Sequence, residues 1–249
     1  MNPVIETIMN HRSIRQFEDR LLTDEQIHTI VQAAQAASTS SFIQAYSIIG
    51  IKDKEKKKRL AELCGDQSYV ARNGHLFVFC ADLHRHELIG QMEEVDVLPS
   101  LESTEKFMVA LIDATLAAQN AVIAAESMGL GICYIGGLRN KLDEVSQVLK
   151  TPARVIPLFA ITMGYPLQES SQKPRLPLAH VYHEEEYEQD EWRTKEQLAE
   201  YNKTIQDYYT ERAGGKRSDT WTSQMANMLS KQSRMYMKSH LEEQGWNKR

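Results

Sequence analysis

The feature that most constrains the fold of this chain is a long stretch, residues 106–126, that is apolar on nearly every face of a helix. Its apolar side chains include Phe107, Met108, Leu111, Ile112, Ala114, Leu116, Ala121, Val122 and Ala125. A helix with so little polar surface needs other elements to cover it on several sides. We therefore expect this helix at the centre of the fold.

Other helices and strands are predicted around this segment in a mixed order. Thr23 and Gln26 have the spacing of a capping box, and apolar residues follow at helical spacing from Ile27 to Ala34. Short apolar runs predict strands at residues 47–51, 76–81, 131–135 and 155–163, with a helix through Leu142 and Leu149 between the last two. This order favours an α+β fold, with a sheet flanked by helices, over a doubly wound fold.

The composition is that of an ordinary globular protein. The chain has 249 residues, of which 42% are hydrophobic and 25% charged, and its formal net charge is -5. This length suits one large domain or two small ones. Because the sequence shows neither repeats nor a clear linker, we expect a single domain over residues 1–249. An acidic chain is not attracted to nucleic acid or to an anionic membrane, so neither is expected as a partner.

The cysteines and the amino terminus bear on the cellular location. Cys64, Cys80 and Cys133 are widely spaced and contain no Cys-x-x-Cys pair, so neither a disulfide framework nor a zinc site is predicted. The first residues lack the basic start and apolar core of a signal peptide, and about twenty uninterrupted apolar residues occur nowhere. We expect a cytoplasmic protein with buried, reduced thiols.

The carboxy-terminal part has a different character. Residues 183–191 are strongly acidic, as is typical of a solvated loop or helix face. Thr194 and Gln197 suggest a second capping box, residues 212–217 form a basic loop, and an amphipathic segment ends the chain. Its apolar stripes would be exposed unless they covered another surface, and a partner subunit is the simplest candidate. Residues 176–249 are therefore predicted to form an extended limb.

One short segment, His11-Arg12-Ser13-Ile14-Arg15, combines an imidazole, two guanidiniums and a hydroxyl. Arginine is suited to forked recognition of phosphate, and serine and histidine add donors at short reach. A basic helix end, in which the arginines compensate the C-terminal partial charge of a helix, explains the segment equally well.

Several common site patterns are incomplete or missing. Gly129 and Gly131 begin like a dinucleotide fingerprint, but the third glycine is lacking and the pattern follows a predicted helix. His84 and His86 lie in a polar stretch without further ligands at helical spacing, so we expect solvated side chains and no metal site. The sequence contains neither a Walker-type phosphate loop nor a nucleophile elbow.

The run Tyr134-Ile135-Gly136-Gly137 closes a predicted strand. Two glycines at this point would let backbone amides approach a flat ligand without interference from side chains. Taken alone, the glycine pair is better explained by a tight turn.

The ordered set of these segments resembles the oxygen-insensitive nitroreductase and NAD(P)H-flavin oxidoreductase family. The set comprises the His11–Arg15 motif, the hydroxyl run at residues 38–41, Gln67, the Tyr-Ile-Gly-Gly run and Lys173-Pro174-Arg175. The resemblance is to the NADPH-preferring branch with a long carboxy-terminal limb, close to bacillary FMN reductases, and it extends from Val4 to Trp246. Each motif is weak by itself, whereas the order and spacing of the set are specific.

This resemblance implies a nitroreductase-like fold with a central, mainly antiparallel sheet, whose limb wraps a second copy of the chain. FMN would lie in a cleft at the homodimer interface. The implied phosphate-binding residues are His11, Arg12, Ser13, Lys173 and Arg175, and Arg15 would lie at the N1 and O2 edge of the ring. The residues implied at the ribityl chain and the remaining ring edges are Ser38, Thr39, Ser40, Gln67, Tyr134, Ile135, Gly136 and Gly137. Thr39 stands where relatives often carry serine, which keeps the hydroxyl.

The implied activity is two-electron transfer from NADPH, through bound FMN, to free FMN, a nitroaromatic or a quinone that occupies the same cleft in turn. Flavin N5 would carry the hydride, so no side chain is expected to act as catalytic acid, base or nucleophile. Arg212 and Arg217 would bind the 2′-phosphate of NADPH, although a basic, flexible loop is also typical of a solvated linker. Two alternatives remain: a non-enzymatic flavin-storage protein, and a nitroreductase whose main acceptor is not flavin.

Overall fold

The computed structural model describes residues 2–168, 170–212 and 218–249 of the chain. Contacts divide it into two compact units, of which the first comprises Met1–Ser170 with Tyr236–Arg249 and the second comprises Ser171–Met235. The helices are α1 (Pro3–Met9), α2 (Asp24–Gln35), α3 (Lys54–Leu63), α4 (Ser68–Ala71), α5 (His84–Met92), α6 (Leu98–Leu101), α7 (Thr104–Ser127), α8 (Leu142–Leu149), α9 (Glu191–Arg212), α10 (Trp221–Leu229) and α11 (Met237–Glu243). The strands are β1 (Tyr46–Ile51), β2 (His75–Asp82), β3 (Gly131–Ile135) and β4 (Val155–Gly164).

The four strands form one antiparallel sheet in the order β1-β2-β4-β3. Every residue of β2 is buried, because side chains alternate between two covered faces. Leu76 and Val78 belong to the core on one face, with residues of α3 and α8, whereas Phe77 and Phe79 belong to the core on the other, with residues of α2 and α7. The predicted α+β fold, with an antiparallel sheet flanked by helices, is confirmed.

Helix α7 lies at the centre of the first unit, as its apolar sequence predicted. Small side chains such as Ala114, Ala117 and Ala121 are fully buried and let α2 and β2 approach closely. By length and composition alone α7 could cross a membrane. The face of α7 that packs inside the first unit accounts for part of this apolar sequence, as in the core helix of a globular fold, whereas Met108, Ile112 and Leu116 are exposed.

Two capping boxes were predicted at helix N-termini, and the structure contains one of them. The capping box of α2 is confirmed, since Gln26 N donates to Thr23 Oγ1 at 3.2 Å and Thr23 N donates to Gln26 Oε1 at 3.0 Å. The second predicted capping box is wrong, because α9 begins at Glu191 and Thr194 lies inside the helix. Asp190 takes the capping role, accepting hydrogen bonds from Trp192 N at 2.9 Å and from the following amide at 3.1 Å.

The histidine-containing stretch is not the solvated connector that was expected. His84 and His86 lie in α5, and His86 Nε2 is 2.7 Å from the backbone oxygen of Ile43. Among the described residues, no group of three or more histidine, cysteine or acidic side chains could hold a metal ion. The three cysteines are free and buried, as predicted.

The predicted limb at residues 176–249 divides between the two units. In the second unit, α9 and α10 pack through Tyr201, Ile205 and Trp221. The last residues belong to the first unit, where Trp246 is fully buried and packs edge-on against Phe107, with 5.8 Å between ring centroids. A single domain over residues 1–249 and the wrapping of a partner by the limb remain predictions.

A buried basic side chain lies at the start of β2. His75 is 2% exposed, and burial, with the nearby Lys57 and Lys52 charges, lowers the pKa of its imidazole to about 4. Within the described chain, neither ring nitrogen of His75 has a hydrogen-bond partner. Its ring packs against Phe77, with 4.3 Å between ring centroids. His75 is therefore neutral in the folded chain at neutral pH.

This burial predicts a loss of stability in mild acid. The imidazole pKa is about 4 in the folded chain and about 6.5 when unfolded, so between these values the unfolded state binds more protons. The free energy of unfolding therefore falls as the pH drops through this window, and His75 contributes about 2 kcal/mol of the loss between about pH 7 and about pH 5. Urea unfolding of His75→Leu should lack this contribution.

The exposed His28 offers a matched control. His28→Leu should retain the wild-type dependence of stability on pH. Parallel pH profiles for the wild type and His75→Leu would contradict the assignment.

Candidate functional site

The His11–Arg15 segment lies beside the edge strand β3. Ile14 N donates to Ile132 O at 2.8 Å, and Ser13 forms an isolated parallel bridge with Ile132. The Ile14 side chain is buried against Gly131, where an added Cβ would lie 2.7 Å from Ile14 Cγ1. Because side chains alternate along an extended segment, burial of Ile14 directs Ser13 and Arg15 to the opposite side.

Arg15 belongs to a group of side chains that we call the Arg15–Tyr69–Gln67 cluster. The Arg15 guanidinium lies near the Tyr69 side chain: its Cζ is 6.0 Å from the centroid of the Tyr69 ring, and it lowers the pKa of the phenol in part. The Tyr69 hydroxyl donates to Gln67 Oε1, and Gln67 Nε2 donates to the carbonyl oxygen of Cys64 at 2.7 Å. Burial raises the pKa of Tyr69, so the phenol keeps its proton at neutral pH.

The second of the two glycines after β3, Gly137, lies against this cluster. A Cβ added at Gly137 would lie 2.6 Å from Cys64 O and 2.7 Å from Gln67 Nε2, so only glycine fits there without movement of its neighbours. Burial raises the pKa of the Cys133 thiol, while Arg15 and the Ser13 side chain lower it in part, which places this thiol beside both residues. Ser13, Arg15, Gln67 and Gly137 thus lie in one neighbourhood, and their predicted role in binding a flavin stays a prediction.

His11 is held by a residue of α7. Its Nδ1 lies 2.6 Å from Glu126 Oε1, and both side chains are largely buried. Arg12 donates from Nη1 to Ser170 O at 3.4 Å and from Nε to Asn10 O at 3.2 Å. Arg12 and Glu126 line the same cavity, which has a volume of about 510 Å³.

The hydroxyl run at residues 38–41 begins a loop that ends at Ala45, and we call this whole segment the hydroxyl loop. A second residue of α7 anchors it. The buried Asp113 accepts hydrogen bonds from Ser40 N at 2.9 Å and from Ala45 N at 3.0 Å. Between these anchors Ser41, Phe42 and Gln44 adopt positive φ angles of 49°, 58° and 53°, and the Phe42 side chain is 81% exposed. The loop is therefore held in a strained conformation with an aromatic side chain outside.

The hydroxyl loop and the His11 side chain are not close together within one chain. Asp113 binds the loop and Glu126 binds His11, and these two anchors lie about 20 Å apart along α7, at about 1.5 Å per residue. Within a single chain, Ser38, Thr39 and Ser40 are therefore too far from the His11 imidazole to contact the same FMN molecule, as was predicted for them.

The remaining predicted residues have the following positions. The Tyr134 side chain is directed to α7, where its hydroxyl donates to Gln119 Oε1 at 3.3 Å, while Ile135 is buried and Gly136 starts a short 3₁₀ helix. Burial, with the Glu126 charge, raises the pKa of Tyr134 to about 12.

Two predicted phosphate-binding residues belong to the second unit. Lys173 Nζ lies 5.4 Å from the centroid of the Tyr209 ring, and the Tyr201 hydroxyl donates to Pro174 O at 2.9 Å, beside Arg175.

The basic loop is described only in part. Arg212 is the last residue of α9, is exposed, and donates from Nη1 to the Tyr208 hydroxyl at 2.8 Å. Arg217 lies outside the described residues, so its predicted role is carried by the sequence alone.

Two protein-family models match this chain. Residues 8–165 match the model of the "Nitroreductase family", and residues 173–249 match that of the "Nitroreductase family, C-terminal domain". The chain belongs to the nitroreductase family. The resemblance inferred from the ordered motifs is thereby confirmed.

Relatives of this nitroreductase-family chain match over its full length. It is 55% identical over 248 residues to "FMN reductase (NADPH)" of Bacillus subtilis strain 168, with 100% of both chains covered. The solved structure of B. megaterium NfrA1 has 64% identity and a TM-score of 0.98, covering 99% of this chain and 100% of the other. The NADPH:FMN oxidoreductase from Vibrio harveyi complexed with NAD+ has 39% identity and a TM-score of 0.90, with 100% of both chains covered.

Sequence reasoning missed three side chains of this nitroreductase-family site. Tyr69 links Arg15 to Gln67, Glu126 holds His11, and Asp113 holds the hydroxyl loop. The only local signal was a polar residue at a buried position of the apolar helix α7, namely Asp113. Nothing near Tyr69 in the sequence distinguishes it from other surface tyrosines.

The Asp113 contacts generate a prediction about the hydroxyl loop. In Asp113→Asn one acceptor oxygen becomes an amide that faces a backbone N–H, so one charge-assisted hydrogen bond is lost and the other is weakened. We expect the free energy of unfolding to fall by about 2 kcal/mol in urea titrations. Chymotrypsin should also cleave faster at the exposed Phe42.

Asp207, which is exposed on α9, provides the control. Asp207→Asn should change neither stability nor cleavage at Phe42. An Asp113→Asn protein with wild-type stability and cleavage rate would refute the anchoring role of Asp113.

Proposed function

We propose that this chain is an FMN-dependent NADPH oxidoreductase that passes two electrons to free FMN, a nitroaromatic or a quinone. The observation that carries this proposal is the Arg15–Tyr69–Gln67 cluster, in which the Gln67 amide lies against Gly137 and donates to Cys64 O while the Arg15 guanidinium lies beside the Tyr69 ring. When bound, FMN accepts a hydride at N5 and returns the electrons as a pair. A fixed cation at the N1 and O2 edge favours the electron-rich reduced ring, and Arg15 supplies that charge.

The cationic side chains suit the flavin phosphate. His11, Arg12 and Ser13 offer donors in one short segment, and in the proposed holoenzyme Lys173 and Arg175 join them. Charge-assisted hydrogen bonds of about 1.5 to 3 kcal/mol each are sufficient to retain a dianion against its desolvation. Ser38, Thr39 and Ser40 bind the ribityl chain, and the backbone from Tyr134 to Gly137 faces the ring.

We propose that the site is shared by two chains of a homodimer. The phosphate and the ribityl chain are neighbouring parts of one molecule, whereas about 20 Å separates the anchors of His11 and the hydroxyl loop in one chain. A second copy can supply the loop. An apolar stripe supports this arrangement, because Met108, Ile112 and Leu116 lie on one face of α7 and are 51%, 47% and 44% exposed.

The names of the relatives favour an enzyme over a storage protein, since those with 55% and 39% identity are called FMN reductase (NADPH) and NADPH:FMN oxidoreductase. Free-flavin reduction is the first choice of activity, and nitro reduction is the second. Bacterial relatives and buried, free cysteines support a cytoplasmic location.

The test of this function is spectroscopic. The purified protein should be yellow and carry stoichiometric FMN, and anaerobic NADPH should bleach the absorption near about 450 nm in a stopped-flow experiment. A flavin-storage protein would stay yellow after addition of NADPH. A protein that is colourless, and remains so after incubation with excess FMN, would overturn the proposal.

The reductant preference is assigned to the basic loop. We propose that Arg212 and Arg217 bind the 2′-phosphate of NADPH, a group that NADH lacks. Arg212→Ala should raise the KM for NADPH about tenfold for each 1.4 kcal/mol of lost binding free energy, with little change for NADH. Steady-state kinetics with both nicotinamides measure this difference.

Arg193→Ala removes an exposed arginine from the first turn of the same helix and serves as a charge-matched control. It should leave both KM values unchanged. An equal rise in the KM values for NADPH and NADH in Arg212→Ala would refute the assignment of Arg212 to the 2′-phosphate.

A further inference from the structure

Tyr69 occupies the middle of a series of side-chain contacts. The Arg15 guanidinium lies beside the Tyr69 ring, with Cζ 6.0 Å from its centroid, and the Tyr69 hydroxyl donates to Gln67 Oε1. The residue lies in the short helix α4, whose buried Val70 fixes the backbone and whose Tyr69 carbonyl accepts from Asn73 Nδ2 at 3.0 Å. The ring is therefore held by the fold rather than by the arginine alone.

The donor and acceptor inventory gives this series one direction. A guanidinium has only donors, so the Tyr69 oxygen is the acceptor toward Arg15 and its proton is available to Gln67. A backbone carbonyl can only accept, so the Cys64 oxygen takes a proton from Gln67 Nε2, at 2.7 Å. A flipped Gln67 amide would set two acceptor oxygens against each other at Cys64, so the contact with Cys64 O fixes the orientation of the amide.

The N–H groups that these contacts leave unused belong to Gln67 and Arg15. Gln67 keeps one free N–H on Nε2, and Arg15 keeps the N–H groups that Tyr69 does not use. Without the Tyr69 hydroxyl, the amide of Gln67 would lose one of its two restraints, and the guanidinium would lose a neighbouring acceptor.

We propose that Tyr69 is a positioning residue that fixes Gln67 and Arg15 as donors to the flavin and thereby raises the reduction potential of the bound FMN. This inference rests on the proposed FMN site. Donors directed at the pyrimidine edge stabilise the reduced ring more than the oxidised ring, because reduction places negative charge there. Tyr69 contributes by orienting Gln67 and Arg15.

The experiment uses the full-length protein, stripped of flavin and titrated again with FMN. Tyr69→Phe keeps the ring and removes the hydroxyl. We expect the preference for reduced over oxidised FMN to fall about tenfold, which lowers the two-electron midpoint potential by about 30 mV. Flavin fluorescence gives the Kd of oxidised FMN, and equilibration with a reference dye gives the potential.

A matched control exists elsewhere in the first unit. The Tyr165 hydroxyl donates to Gln26 Oε1 at 3.1 Å, and Arg20 Cζ lies 3.8 Å from the centroid of its ring, so Tyr165→Phe removes the same kind of hydroxyl. This variant should keep the wild-type potential. An equal drop in both variants would indicate a general structural effect and would count against the proposal.

A double-mutant cycle tests whether Tyr69 acts through Gln67. In a Gln67→Leu background, Tyr69→Phe should shift the potential less than it does in the wild type. Full-size shifts in both backgrounds, or a wild-type potential in FMN-loaded Tyr69→Phe, would overturn the positioning role. Failure of the wild type to bind FMN would instead overturn the proposed function, so the two failures are distinguishable.

Discussion

Burial of α7 is the constraint on which the rest of the first unit depends. The helix packs against α2 and the sheet through alanines, and this close approach fixes the rotation of the helix about its axis. Two carboxylates on it then have set positions: Asp113 holds the hydroxyl loop and Glu126 holds His11. The core therefore places parts of the site that lie far from each other in the sequence.

The contact between Glu126 and His11 fixes which ring nitrogen faces the proposed phosphate-binding position. With Nδ1 2.6 Å from a carboxylate oxygen, that nitrogen donates its proton to Glu126, and Nε2 is the nitrogen available to a ligand. To donate to a phosphate as well, the ring must carry both protons.

Much of the fold followed from local patterns, but the site did so only in part. The capping box of Thr23 and the apolar strands are local signals, and the structure contains both. The start of α9 was misplaced because Asp190 offers a cap one turn before Thr194, and spacing alone did not rank the two. Tyr69 was missed because its role depends on Arg15, which reaches it through tertiary structure. Family resemblance supplied the other site residues through their order along the chain.

The strain in the hydroxyl loop argues that its shape serves a purpose beyond connecting α2 to β1. Left-handed backbone at Ser41, Phe42 and Gln44 costs about 1 to 2 kcal/mol per residue, because none is glycine. The two hydrogen bonds to the buried Asp113 offset a comparable amount. A loop without left-handed residues would not need the buried Asp113 carboxylate to stabilise it. The strained conformation also keeps the Phe42 side chain exposed to solvent. In the proposed homodimer this loop reaches the partner's site, and its backbone, already fixed through Asp113, loses little further conformational entropy on binding.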